Sequence, residues 1–243
     1  MRTAVWLLAL FVLPLLVSAG LIVSARAEHW SRARWDATGL APDPTKSPEA
    51  VVQVYAARTW GWKGAFAVHT WLVYKPEGAS AYDRWEVVGW GVGSGAPAVR
   101  HNLRPPDGRW AGNEPMLLVE LRGREAATAI PKLEEAIVRY PYPDSYLTWP
   151  GPNSNTFIAW LGREVPELGL TLPPTAIGKD FLGRQIAATT PSGTGLQISL
   201  GGLLGVAVGV KEGLELNLLG LVIGVDPLGL AIKLPGLGRL GAS

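Results

Sequence analysis

The chain contains no cysteine, which excludes disulfides, thiolate metal ligands and a cysteine nucleophile while leaving the redox compartment open. Histidine is scarce as well. His29, His69 and His101 are the only three, well separated in sequence, whereas catalytic zinc takes three clustered ligands; neither a metal nor a cofactor is expected. Charged residues are 17% of the 243 and hydrophobic ones 48%, a balance too apolar for disorder and somewhat apolar for an ordinary soluble protein. The net charge is only +2, with basic residues scattered among acidic ones, so the chain lacks the electrostatic footprint of a nucleic-acid binder. A membrane is the expected partner, and the length suits one well-packed domain of about 200 residues with attachments. Oligomeric state is not legible in these residues.

The apolar excess is concentrated first at the N-terminus. Ala4 to Val23 carries no charge, with Arg2 before it and Ser24-Ala25-Arg26-Ala27-Glu28 after it. About 20 such residues can span a bilayer. The basic start and the Ala25-Arg26-Ala27 pattern also resemble a secretory signal and its cleavage site, although the run exceeds a signal core of roughly 7 to 15 residues. Residues 1–27 are therefore expected to be a transmembrane anchor or a signal segment. Arg26, Arg32 and Arg34 after the run would hold the domain inside by the positive-inside rule, while the cleavage-like site favours export. The expectation is a cell-membrane or periplasmic protein held outside the cytoplasm.

Residues 28–47, with Gly39, Pro42 and Pro44 and no apolar period, read as a linker. Ser47-Pro48-Glu49 is a helix-start pattern or a turn into a strand, because Val51, Val52, Val54 and Tyr55 favour strands. Ala65–Tyr74 and Tyr82–Trp90, rich in aromatic and β-branched residues, flank a turn-forming loop and predict a hairpin. A strand follows at Met116–Leu121. From Glu125 to Tyr140, Ala126, Ile130, Leu133 and Ile137 recur at helical spacing and predict an amphipathic helix. The loop Pro141 to Pro152 holds several prolines among Tyr142, Tyr146 and Trp149 and suits the wall of a cleft. Asn155–Val165 then predicts a helix capped by Asn153 or Ser154. Together these place an α+β domain of antiparallel sheet and packed helices over residues 48–190.

Residues 191–243 form a glycine-rich repeat. Gly195-Leu196-Gln197-Ile198-Ser199-Leu200, Gly213-Leu214-Glu215-Leu216-Asn217-Leu218 and Gly229-Leu230-Ala231-Ile232-Lys233-Leu234 share one alternating pattern. The alternation predicts a meander of about five short strands. The small-residue spacing of Gly201, Gly205 and Gly209 in an uncharged run is the competing, membrane-helix reading, and the outer face of a meander could rest on the bilayer or the anchor.

Ser154 opens a helix, where backbone N–H groups lack partners and the dipole is positive. Such groups stabilise an oxyanion in acyl transfer, or the serine simply caps them. His69, in a Trp-rich strand, is a base or a hydrogen-bonded core histidine. If hairpin residues 69 and 86 pair, Glu86 orients the histidine; a slip of one residue would turn Glu86 to the other face. Asn153 and Asn155 are candidate oxyanion or substrate-orienting amides, or ties of the turn. Trp149 and Trp71 are candidates for a stacking wall, or packing. His101 is a rival base on a polar loop.

The segments Trp60-Gly61-Trp62-Lys63-Gly64-Ala65-Phe66-Ala67-Val68-His69-Thr70-Trp71, Gly151 to Phe157 and Pro173-Pro174-Thr175-Ala176-Ile177-Gly178-Lys179-Asp180 resemble those of a bacterial family of exported proteins of unknown function, over most of the chain from about Pro42 to Leu240. More distantly, the order of His69 on a strand and Asn153-Ser154-Asn155 at a helix start is similar to the permuted NlpC-like papain-fold hydrolases, including lecithin retinol acyltransferase-like proteins. There the turn is of the Asn-Cys-Asn type; here serine stands in its place and needs a tightly held base. The resemblance implies a hydrolase or acyltransferase acting on an amide or ester of the envelope. The alternatives are a catalytically inactive binding module for an envelope-derived small molecule, peptide or lipid, and a structural or assembly protein built on the repeat.

Overall fold

The computed structural model describes residues 2–24 and 33–241, with side chains on the first helix described from 9 to 21. Ala25-Arg26-Ala27, Arg32, His29 and the first part of the linker lie outside the described residues. Helix α1 (Arg2–Ser24) contains Pro14 and no charge in its last turn. Its described side chains cover about 20 Å at 1.5 Å per residue, and among the described residues no helix is long and apolar enough to cross a membrane.

The fold is mixed α and β, with three α-helices among the described residues and two antiparallel sheets. The first sheet comprises β1 (Val51–Arg58), β2 (Val68–Lys75), β3 (Asp83–Val87), β4 (Val99–His101) and β5 (Met116–Arg122), in spatial order β4-β3-β2-β1-β5. Ser47-Pro48-Glu49 thus leads into a strand rather than a helix. Helices α2 (Gly123–Val138) and α3 (Ser154–Glu164) cover one face of this sheet, where Val52, Val54 and Leu72 meet Leu133, Phe157 and Leu161. On the other face Val51, Tyr55, Trp71 and Val73 pack with Trp110, and Trp35 of the linker segment lies against them. β1 and β2 are consequently buried on both sides, which makes them a rigid centre for whatever they carry.

The second sheet has seven strands, not five: β6 (Ala187–Thr189), β7 (Gly195–Leu200), β8 (Leu204–Gly209), β9 (Gly213–Leu218), β10 (Leu221–Asp226), β11 (Ala231–Leu234) and β12 (Gly238–Gly241), in sequential order. The predicted repeats coincide with β7 and β9 and, in the third case, begin two residues before β11 and contain all of it; the flanking β6 and β12 carry no repeat and pair with β7 and β11. The sheet turns its polar residues inward. Arg163 of α3 donates to Gln197 at 2.8 Å, Asn217 donates to Asp180 at 2.9 Å, and Glu215 is held between Lys179 and Lys233. Helix α1 lies against β10, β11 and the 3-10 turn Gly61–Ala65, with the Ser18 hydroxyl donating to the carbonyls of Ala65 and Gly236.

Candidate functional site

β2 and β3 form the predicted hairpin, but in a register two residues away from the 69-to-86 pairing: Trp71, not His69, faces Glu86. The displacement is even, so Glu86 stays on the face that His69 occupies and becomes its diagonal neighbour, within reach of a long side chain. The contact is made, with His69 Nε2 2.9 Å from Glu86 Oε2. Both groups are buried. Arg84, two residues earlier on the same face of β3, donates from Nη2 to Glu86 Oε2 at 3.1 Å and brings Nε within 2.8 Å of Oε1. Arg84 is itself fixed by the Pro105 carbonyl at 2.7 Å and by the Trp71 ring beneath it.

Electrostatics follow from these contacts. Burial opposes ionisation of Glu86, but the His69 hydrogen bond and the Arg84 charge outweigh it and hold its carboxyl at about 2. Burial pushes His69 below its ordinary value against the pull of Glu86, with Arg84 and Arg104 adding to the depression. A neutral imidazole therefore faces an ionised carboxylate, which can only accept, so the proton sits on Nε2 and Nδ1 carries the lone pair. The ring lies flat on Trp110, centroids 3.4 Å apart at 10°, and Trp110 stacks in turn with Trp90.

At the start of α3 the cap is Asn153, whose Oδ1 accepts from the N–H groups of Asn155 (2.9 Å) and Thr156 (3.2 Å). Thr156 Oγ1 accepts in return from the Asn153 N–H, completing a capping box. The Asn153 amide also donates to the Thr148 and Ile177 carbonyls, both at 3.1 Å. Gly178, at φ +98°, lies so close over this amide that a Cβ there would sit 2.3 Å from Nδ2. Asn155 donates to the Val68 and Ile177 carbonyls and accepts from Thr70 Oγ1. Both amides are thus committed to the protein. Ser154 is left as the first helical residue, and among the described residues neither its hydroxyl nor its backbone N–H has a hydrogen-bond partner.

His69 and Ser154 meet at one cavity of about 400 Å³, lined also by Trp60, Trp62, Phe66, Trp90, Trp149, Asn153 and Asn155. Thr70 faces α3 and His69 the opposite face of β2, so the two candidates approach around the N-terminal end of the strand, without a hydrogen bond between them. Trp149 stands on the wall, its indole donating to the Leu219 carbonyl at 2.9 Å. Trp71 does not line the cavity; it is fully buried beneath Arg84. His101 is elsewhere, exposed, stacked on Trp85 and 2.6 Å from Asp83. A larger cavity of about 740 Å³, between Arg58, Pro173 and Lys233, is lined by no histidine or serine. Among the described residues no group of three or more His, Asp or Glu is placed to hold a metal ion.

Sequence reasoning missed Arg84, Trp110 and Thr156. The alternation Arg84-Trp85-Glu86 could have shown that Arg84 shares a face with Glu86. Nothing local announces that Trp110, far along the chain, will cover His69.

The model of one family, described as a protein of unknown function (DUF3750), matches residues 49–181, a span that contains the first sheet, α2, α3 and every residue lining the 400 Å³ cavity. No curated protein and no solved structure matches the chain.

Proposed function

The chain belongs to the DUF3750 family of proteins of unknown function, and we propose that it is a membrane-anchored serine hydrolase or acyltransferase acting on an amide or ester, with Ser154 as nucleophile, His69 as base and Glu86 as orienter. One observation carries the reading. A neutral histidine, tied through Nε2 to an ionised and braced carboxylate, shares a cavity with a serine whose hydroxyl and N–H are both uncommitted. The distant similarity to permuted papain-fold enzymes gives the same order of groups, with serine in place of cysteine.

In this mechanism Ser154 Oγ attacks the substrate carbonyl carbon and its proton passes to His69 Nδ1, directly or through one water. Glu86 stabilises the imidazolium that forms. The tetrahedral oxyanion develops at the N-terminus of α3, where the Ser154 N–H and the helix dipole favour negative charge. Collapse expels the amine or alcohol, which takes the proton back from His69, and leaves an acyl-serine. Water then releases the acid, or a second nucleophile takes the acyl group. The aromatic lining suits a substrate with an apolar or planar part. On this reading the uncharged run from Ala4 to Val23, about the length that a bilayer needs, is a retained anchor holding the domain outside the cytoplasm.

Purified full-length protein in detergent is expected to react with a fluorophosphonate probe, and Ser154→Ala to abolish that labelling. A folded wild type that never labels, or labelling that survives the substitution, would overturn the serine nucleophile. The second reading is a binding cavity without catalysis, favoured by the placement of His69 and Thr70 on opposite faces of β2. There, His69→Ala would leave ligand affinity unchanged.

A further inference from the structure

The second sheet is inverted with respect to an ordinary one-sided sheet: its polar residues face the protein and its aliphatic residues face out. Gln197, Ser199, Glu215, Asn217 and Lys233 are buried, while Leu196 is 72% exposed, Ile198 59% and Leu214 50%. The registers align the outward residues in transverse rows. Leu196, Val208, Leu214, Val225, Ile232 and Leu240 form one row across β7 to β12. Ile198, Val206, Leu216 and Ile223 form the next, and Leu200, Leu204, Leu218 and Leu221 the third. None of these residues carries a charge, a hydrogen-bonding side chain or an aromatic ring.

Four strands roughly 20 Å long and three of about 10–13 Å, about 4.8 Å apart, make a face of about 550 Å², near the upper end of what a monomer exposes. Protein interfaces of that size have a polar rim and are enriched in tyrosine, tryptophan, methionine and arginine; a purely aliphatic field matches hydrocarbon instead. Position argues the same way. The Gly236 carbonyl, in the turn between β11 and β12, accepts from Ser18 of α1, six residues, or about 9 Å, inside the end of that helix. Leu13, Leu16 and Leu21 are exposed on the rest of the α1 surface. Trp60, just before the 3-10 turn that α1 also touches, and Trp62 within it are exposed, and tryptophan is the residue type enriched at the membrane–water boundary.

We infer that the outer face of the second sheet is a membrane-docking face, seated on the acyl chains of the bilayer next to α1. The argument from position rests on α1 being an anchor; the rows of aliphatic residues do not, and neither depends on catalysis at Ser154. A sheet can rest face-on against lipid because its backbone groups are paired strand to strand across the face, provided that the outer edges of β6 and β12 stay clear of the hydrocarbon.

The absence of cysteine makes the test clean. Ile198→Cys, Leu216→Cys and, as control, Glu77→Cys in the β2–β3 loop at the far end of β2 are each labelled with an environment-sensitive fluorophore in the full chain. They are reconstituted into phosphatidylethanolamine–phosphatidylglycerol vesicles carrying acyl-chain nitroxides, with Leu196→Cys as a further site should either sheet variant lose its native circular dichroism. The expected result is a blue shift and loss of most of the emission to the nitroxides at 196, 198 and 216, with the Glu77 site quenched only by aqueous iodide. Iodide quenching at the sheet positions equal to that at the Glu77 site would overturn the proposal. So would efficient disulfide cross-linking of Leu216→Cys between two copies, which would assign the face to a dimer. Because no enzymatic readout is used, failure here leaves the serine reading untouched, and probe labelling at Ser154 leaves this one untouched.

Discussion

Glu86 is a charge buried by the fold and kept ionised by two neighbours, so its removal touches both stability and chemistry. Its carboxyl is depressed from 4.5 to about 2; the stability it contributes is present above about 4.5 and is lost as pH falls through about 2, on the order of 3 kcal/mol for a shift of that size. In Glu86→Gln, melting temperature is expected to lose this part of its acid dependence, measured by calorimetry from neutral pH downward. His69 is also depressed, by burial, so protonating it opposes folding: stability is fully present above its ordinary value and declines as pH drops below about 6.5. The same substitution removes the charge that stabilises the imidazolium, and the rate of probe labelling should fall about 100-fold or more at neutral pH.

At the scale of the element, α3 separates a capping role from a chemical one. Asn153 satisfies the helix start and, through its amide, ties the loop at Thr148 to the segment around Ile177 that follows α3. Asn153→Ala is therefore expected to cost about 1–2 kcal/mol for the cap and about 1 kcal/mol for each lost amide bond, seen as a lowered melting temperature. Ser154→Ala, whose hydroxyl makes no bond, should change stability by less than about 0.5 kcal/mol while abolishing labelling. A serine needed only as a cap would give the opposite pair of results. The β2–β3 hairpin teaches a related lesson. Its register differs from the paired expectation by two residues, and Glu86 still reaches His69 because an even shift preserves the face.

For the whole molecule, the joint between the two sheets is polar and buried. Glu215 on β9 lies between Lys179, in the segment joining α3 to β6, and Lys233 on β11. Glu215→Ala would leave buried Lys233 without a carboxylate, held only by the Glu212 carbonyl, and Lys179 with Asp180 alone, at a cost of about 3–5 kcal/mol. The expected outcome is a fall of about 10 °C or more in melting temperature and new cleavage between the sheets in limited proteolysis. An unchanged melt and digest would show that the joint does not depend on this triad. The inward orientation of these charges is what leaves the aliphatic rows outside.

Much of this was legible in the residues. Alternation within Gly195–Leu200 and Gly213–Leu218 determined strands and which residues share a face; the 3.6-residue spacing of Ala126, Ile130, Leu133 and Ile137 determined α2; the polar pair Asn153-Ser154 marked the start of α3 to within a residue, and the structure made Asn153 the cap. Local rules suffice there because a strand or a helix start is decided by groups a few residues apart. The tertiary structure alone decided that Trp110 covers His69, that Arg84 braces Glu86, and that β6 and β12 extend the meander. It also decided which side of the second sheet is outside. A period of two says that leucines lie together on one face, but not whether that face meets the core; here Arg163, Lys179 and Asp180 claim the polar face by ion pairs and hydrogen bonds, and the leucines are left facing outward.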